Sequence, residues 1–158
     1  MTTTVYIPRD ASAVSVGAEA VARAIASQAQ ARKIDVKIVR NGSRGLCGLE
    51  PMVEVATSAG RIAYGPVTVN DVPSLFLADF LAGGAHALRL GAPEGIPYLK
   101  RQDRLTFARV GITDPVSLTE YVAHGGYRGL KRALELAPAA IVKEVTDSGL
   151  RGRGGAAF

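Results

Sequence analysis

Met52-Val53-Glu54-Val55-Ala56-Thr57-Ser58-Ala59-Gly60-Arg61-Ile62-Ala63-Tyr64 holds two β-like runs, Met52 to Ala56 and Arg61 to Tyr64, around Thr57-Ser58-Ala59-Gly60. A short polar stretch ending in glycine between two such runs predicts a hairpin. Upstream, Val5 to Ile7 is a short β-favouring run closed by Pro8. Ser15 to Arg32 predicts a helix, because Val21, Ile25 and Ala29 recur at four-residue intervals with Ala18 and Ala22 beside them. Val36, Ile38 and Val39 predict a second strand, and Asn41 to Gly45 is a loop by composition. Downstream, Asn70-Asp71 offers an N-cap to a stripe of Val72, Leu75, Phe76 and Phe80 that stops at Gly83-Gly84. The order strand–helix–strand–hairpin–helix over residues 1–90 predicts an α/β domain, a small mixed sheet with helices packed on it.

The remainder reads differently. Leu90 to Arg104, with Gly91, Pro93, Gly95 and Pro97, shows little periodicity, and residues 91–108 are expected to be a linker. Asp114-Pro115 then predicts a helix start, with Leu118, Tyr121 and Val122 as its inward stripe and Gly125-Gly126 as its end. Tyr127 to Leu136, with Leu130 and Leu134 inward, and Pro138 to Ser148, with Ile141, Val142 and Val145 inward, predict two more helices. Gly149 is expected as the C′ residue of the last. Three short helices bury little alone and expect a partner surface. The tail Leu150-Arg151-Gly152-Arg153-Gly154-Gly155-Ala156-Ala157-Phe158 combines glycines, which let a backbone approach a ligand, with arginines, which pair with phosphate or stack on a ring. Behind a helix it reads as one wall of a cradle for a flat, phosphate-bearing cofactor. The second wall is expected in further chain.

Composition bounds the alternatives. The 158 residues are 47% hydrophobic with 6% aromatics and no Trp, so small aliphatics must fill most of the core. The net charge is +5, but Lys and Arg are scattered among acids, so nucleic acid is not an expected partner. A basic surface could equally meet an acidic subunit. A lone cysteine, Cys47, excludes a disulfide framework. Together with an N-terminus unlike a signal peptide it predicts a cytoplasmic protein. No uncharged apolar run approaches membrane-spanning length, so no membrane association is expected.

The tail from Ser148 to Phe158 resembles the flavin-binding signature of the NADH-oxidising flavoprotein subunits of respiratory complex I, NAD-reducing hydrogenases and NAD-dependent formate dehydrogenases. Tyr121-Val122-Ala123-His124-Gly125-Gly126-Tyr127-Arg128-Gly129-Leu130-Lys131-Arg132-Ala133-Leu134 is similar to the helix pair that precedes it. The resemblance implies that residues 109–158 begin an FMN/NADH-binding domain. It implies that Gly152, Arg153, Gly154, Gly155, Ala156 and Phe158 lie beside FMN and NAD(H). Ala157 stands where the family has glycine. The family's 4Fe–4S ligands belong to a later part of the subunit, outside this chain.

Residues 1–90 resemble the thioredoxin-like ferredoxin domain that carries a 2Fe–2S cluster. Arg44-Gly45-Leu46-Cys47-Gly48-Leu49-Glu50-Pro51-Met52-Val53, followed by Tyr64-Gly65-Pro66-Val67-Thr68, is similar to the segment with the second cysteine pair. That pair is spaced C-x3-C, where this chain has Ser43 and Cys47. Pro8 and Ala13 fall on the first pair. One thiol cannot hold a cluster that takes four ligands, so a degenerate, cluster-free domain used for docking is expected, with no metal site. The fusion, with Asn41-Gly42-Ser43-Arg44-Gly45 and Leu105-Thr106-Phe107-Ala108-Arg109, resembles the formate dehydrogenase β subunits most. The implied partners are a molybdenum catalytic subunit and a 2Fe–2S ferredoxin-like subunit. The alternatives are the flavoprotein subunit of a hydrogenase or of complex I, and a non-catalytic docking module. No catalytic side chain is assigned. Cys47 is expected as a small buried residue, and His86 and His124 lack the spacing of ligands or acid–base groups.

Overall fold

The computed structural model describes residues 2–155. They form two compact units, Met1–Ser117 and Leu118–Phe158.

The first unit is built on a five-stranded sheet in the order β2-β1-β3-β4-β5. Strand β1 (Thr3–Tyr6) runs parallel to β2 (Val36–Val39), with α1 (Ala11–Ser15) and α2 (Ala18–Ala31) as the crossover. On the other side β1 pairs antiparallel with β3 (Val53–Thr57), β3 with β4 (Gly60–Tyr64) and β4 with β5 (Arg89–Gly91). A parallel βαβ pair joined to an antiparallel hairpin is the thioredoxin-like arrangement expected for this segment. The hairpin closes through Thr57 opposite Gly60, whose φ of +109° no side chain adopts readily. The Thr57 hydroxyl donates to the Gly60 carbonyl at 2.7 Å and accepts from the Ala59 amide at 3.2 Å.

The helix expected from Ser15 to Arg32 is α2, which starts at Ala18 after Gly17 at φ +103°, and α1 precedes it as a short helix that was not expected. The helix expected from Val72 to Gly83 is also divided. After α3 (Val72–Leu77), Asp79 takes φ +52° and a single helical turn, Phe80–Ala82, follows. The start is capped earlier than Asn70-Asp71. Thr68 and Asp71 form a capping box, with the Thr68 amide donating to Asp71 Oδ2 at 2.8 Å. Hydrogen bonds from the Thr68 side chain and backbone hold the Asp71 carboxyl below its ordinary range.

One face of the sheet presents Val5, Ile7, Val53, Val55 and Tyr64 to Val21 and Ile25 of α2 and to Leu75, Phe76 and Phe80. The three aromatic rings meet edge to face, Phe80 lying 5.9 Å from Tyr64 and 5.0 Å from Phe76. The other face is covered too. Met52 and Ala63 pack with Ile96 and Leu99, flanked by Leu46 and Leu90. Residues 91–108, expected as a linker, therefore include the end of β5, a turn at Pro93–Gly95 and the short helix α4 (Pro97–Lys100). Glycine and proline give this segment a loop composition, although Pro93, Ile96 and Leu99 recur at three-residue intervals and are all buried.

In the second unit, α5 (Leu118–Ala123), α6 (Arg128–Leu134) and α7 (Pro138–Asp147) follow the three predicted helices. Asp114-Pro115 makes a turn rather than the first residue pair of α5, with the Val116 amide donating to Asp114 Oδ1 at 3.0 Å. None of the three helices has a buried residue. Leu118, Tyr121, Val122, Leu130, Leu134, Val142 and Val145, expected to face inward, are exposed. Three helices of six to ten residues enclose no interior. They are joined by an Arg132–Glu144 ion pair at 2.7 Å and by Tyr121 against Tyr127 at 5.0 Å.

Gly84 supplies a direct check on the packing around Tyr64. The Tyr64 hydroxyl donates to its carbonyl at 2.7 Å, and a Cβ on Gly84 would stand 1.8 Å from the Ala78 carbonyl oxygen. Gly84→Ala should lower stability by about 2 kcal/mol in denaturant melts. Gly95→Ala, where a Cβ meets nothing within 4 Å, should leave it nearly unchanged.

Candidate functional site

The predicted cofactor loop follows α7. Ser148 ends the helix and Gly149 turns the chain with φ +62°, as expected of a C′ residue. The Ser148 hydroxyl accepts from the Leu150 amide at 3.2 Å and donates to the Val145 carbonyl at 2.7 Å, which pins the exit from the helix. Gly152, Arg153, Gly154 and Gly155 then run without regular structure, and all but half-buried Gly152 are exposed. A Cβ at Gly154 or Gly155 would meet nothing within 4 Å. Arg151 and Arg153 have no carboxylate partner among the described residues. The segment thus offers open backbone and two uncompensated cations, a donor set suited to a flat anion. Ala156 and Phe158, the other two predicted residues, lie outside the described residues.

The second place of interest is where the ferredoxin resemblance puts a cluster. Pro8 and Ser43 do come together there, lining one cleft with Asn41, Arg44, Glu50 and Glu54. The cleft has essentially no free volume. Ser43 Oγ donates to Glu50 Oε1 and accepts from the Gly45 amide, and the Ser43 amide donates to Asp10 Oδ1 at 2.8 Å. Cys47 is exposed in a helical turn, Cys47–Leu49, contrary to the buried position expected. One exposed thiol and a hydroxyl already bound to a carboxylate do not fit a 2Fe–2S cluster. Among the described residues no group of three or more His, Cys, Asp or Glu is placed to hold a metal ion.

What fills this region is a buried ionic tie that pattern reading missed. Glu54 of β3 is 1% exposed and accepts from Arg44 Nε at 2.6 Å and Nη2 at 3.0 Å. Arg61 of β4 donates to Glu54 Oε2 at 3.1 Å and lies 3.5 Å over the Tyr6 ring. Arg61 and Asn41 Nδ2 both donate to the Gly111 carbonyl. Gly111 has φ +78°, and a Cβ there would press within 2.7 Å of Arg44 Nε. Burial works against the charge on Arg44, but its hydrogen bond and attraction to Glu54, with Glu94 adding to them, raise its pKa overall. Glu50 differs. Burial pushes its carboxyl above the ordinary range, against the bonds from Ser43 and the Met52 amide. Glu54 between Val53 and Val55 reads from sequence as the solvent side of a half-buried strand, and only the chain folded over it shows otherwise.

The histidines are structural. His86 Nδ1 accepts from the Leu88 amide at 3.1 Å, which leaves Nε2 to donate to the Ser74 hydroxyl at 3.1 Å. His124 Nδ1 lies 2.9 Å from the Glu120 carbonyl within its own helix. Among the described residues no helix is long and apolar enough to cross a membrane.

Comparison with known proteins found relatives over part of the chain. An NADP-reducing hydrogenase subunit, HndC, of Solidesulfovibrio fructosivorans is 48% identical over 59 residues, 37% of this chain and 12% of that protein. The NADH-quinone oxidoreductase subunits F of Streptomyces coelicolor and Escherichia coli are 52% identical over 42 residues and 53% over 45. These matches take in 27% and 28% of this chain and 9% and 10% of those proteins. The chain thus spans about a tenth of the length of the curated relatives it matches. A thioredoxin-like [2Fe-2S] ferredoxin from Aquifex aeolicus superposes with a TM-score of 0.48 at 20% identity, over 57% of this chain and 97% of its own. No family model matches.

Two outcomes follow from the buried charges. Glu54→Gln strips Arg44 of its counter-charge and should destabilise the protein by roughly 3 kcal/mol in urea melts. Glu50 has a folded-state pKa above its unfolded value, so its contribution is full below the ordinary carboxylate value of 4.5 and is lost as pH rises through the raised value. Glu50→Gln cannot titrate. The stability of wild type relative to this variant should therefore fall as pH is raised from 4 to 8, and a pH-independent difference would show that Glu50 titrates normally.

Proposed function

We propose that this chain belongs to the FMN- and NADH-binding β subunit of an NAD-dependent formate dehydrogenase. The observation that carries the reading is about 50% identity over 42 to 59 residues to subunits of NAD(P)-linked oxidoreductases. The exposed, glycine-rich loop behind α7 supports it. In this reading residues 109–158 open the flavin domain and residues 1–90 dock a neighbouring subunit without a cluster of their own. Partners would be a molybdenum subunit that handles formate and a 2Fe–2S ferredoxin-like subunit. Work in the cytoplasm fits the chemistry of NADH.

The loop's role is to bind and orient. Amides of Gly152, Gly154 and Gly155 would donate to anionic oxygens of the nucleotide, and Arg153 would pair with its phosphate. FMN held there would accept hydride from NADH and release electrons singly. The 4Fe–4S cluster expected of the whole subunit would take its ligands from outside these 158 residues. A second reading, the flavoprotein subunit of a hydrogenase, is favoured by the HndC match. Reduction of NAD by formate rather than hydrogen in the purified complex would separate the two.

Arg153→Glu and Gly155→Val, introduced into the full-length subunit of the purified complex, should each lower bound FMN and NADH–ferricyanide turnover by about tenfold or more. Arg132→Ala, on an exposed helix face, should leave both near wild type. Flavin content unchanged in the first two variants would refute the assignment. The 158-residue chain alone should show no NADH–ferricyanide turnover, because it supplies one wall of the site.

A further inference from the structure

Apart from the terminal loop, the first unit contains a cavity of about 320 Å³ between α4 and the segment 102–112. That volume lies in the small-molecule range, toward its lower end. Leu99, Val110 and Ile112 give it an apolar lining, and Arg44, Lys100 and Arg104 bring three cations to it. The charges are answered unequally. Arg44 is matched by Glu54 and, at 3.5 Å, by Glu94. Arg104 is half-buried and, among the described residues, donates to neutral acceptors, from Nε to Gln102 Oε1 at 2.9 Å and from Nη2 to the Arg44 carbonyl at 2.8 Å. Lys100 has no carboxylate partner among the described residues. Glu94, the carboxylate of the lining, leans toward Arg44 with its side chain 73% exposed.

A half-buried guanidinium held in place by neutral oxygens keeps its orientation but has no carboxylate partner among the described residues. Beside a lysine and over an apolar floor, it is arranged to receive an anion whose body is apolar. We infer that this cavity binds a small amphiphilic anion, a carboxylate or phosphate ester carrying one ring or a short chain. The charged head would sit between Lys100 and Arg104, and the body against Leu99, Val110 and Ile112. The volume is too small for a dinucleotide, so the site is separate from the NADH role proposed for the terminal loop and stands whether or not that role holds.

The test is an amide-resolved NMR titration of the chain with benzoate, phenyl phosphate and the neutral isostere benzamide. Saturable shifts at Leu99, Gln102 and Val110 are expected with the two anions, and binding about tenfold weaker with benzamide. Phenyl phosphate against benzoate separates the two head groups. Lys100→Glu, at an exposed position, should weaken both anions about tenfold while the rest of the spectrum is unchanged. Benzamide binding as well as benzoate, or anion shifts that survive Lys100→Glu, would overturn the proposal. A short glutamate-containing peptide that shifts these amides when benzoate does not would also overturn it, in favour of a partner protein's side chain.

Discussion

A carboxylate buried in the sheet sets the terms for everything above it. Glu54 is sealed from water, so its charge must be answered within the protein. Arg44 answers it with two hydrogen bonds from the loop after β2, and Arg61 adds a third from the next strand. Arg61 and Asn41 then draw in the Gly111 carbonyl, far along the chain. A buried ion pair adds little over well-packed apolar residues, yet losing one partner is expensive. The tie therefore acts less as a source of stability than as a constraint. With it in place, residues 40–50 and 90–112 have to lie over the second sheet face.

That constraint explains two features that otherwise look unrelated. Pro8 and Ser43, which the ferredoxin resemblance places at ligand positions, line one cleft with Glu50 and Glu54 that has essentially no free volume, and Ser43 is bonded to Glu50 and Asp10. The same covering segment, draped from β5 to Ile112, leaves the cavity beside Arg44. One arginine thus borders both the closed cleft and the open one.

The second unit has a different character. Its helices are short and fully bury no side chain of their own, so seven of their large apolar side chains stay exposed. Burying a leucine contributes roughly 1.5–3 kcal/mol, and seven large apolar side chains are left without that gain. The local geometry is nevertheless definite. Gly126 has no room for a Cβ against the Tyr121 ring, and Gly149 turns the chain toward the glycine loop. Helix ends and turns are set by nearby atoms, whereas the burial of their faces depends on surfaces that local sequence does not supply.

The same division separates what was legible in the sequence from what was not. The hairpin at Thr57–Gly60, strands β1 and β2, the helix carrying Val21 and Ile25, and the glycine turn after α7 were all readable, because each depends on a period or on a residue's own backbone preference. The break at Asp79 was not, since a left-handed residue inside an apolar stripe leaves the stripe intact, and neither was the short helix α1 ahead of Gly17. Glu54 drew no reading of its own within its β-like run, Cys47 was expected small and inward, and residues 91–108 were expected as a linker. Each depends on which chain lies over which face, and distant segments decide that through contacts such as Arg44 to Glu54 and Asn41 to Gly111. Sequence by itself determined the hairpin, strands β1 and β2, the long helix of the first unit and the turn at Gly149. Only tertiary structure decided that the sheet is covered on both sides, because the burial of a charge is a property of its surroundings and not of the residue.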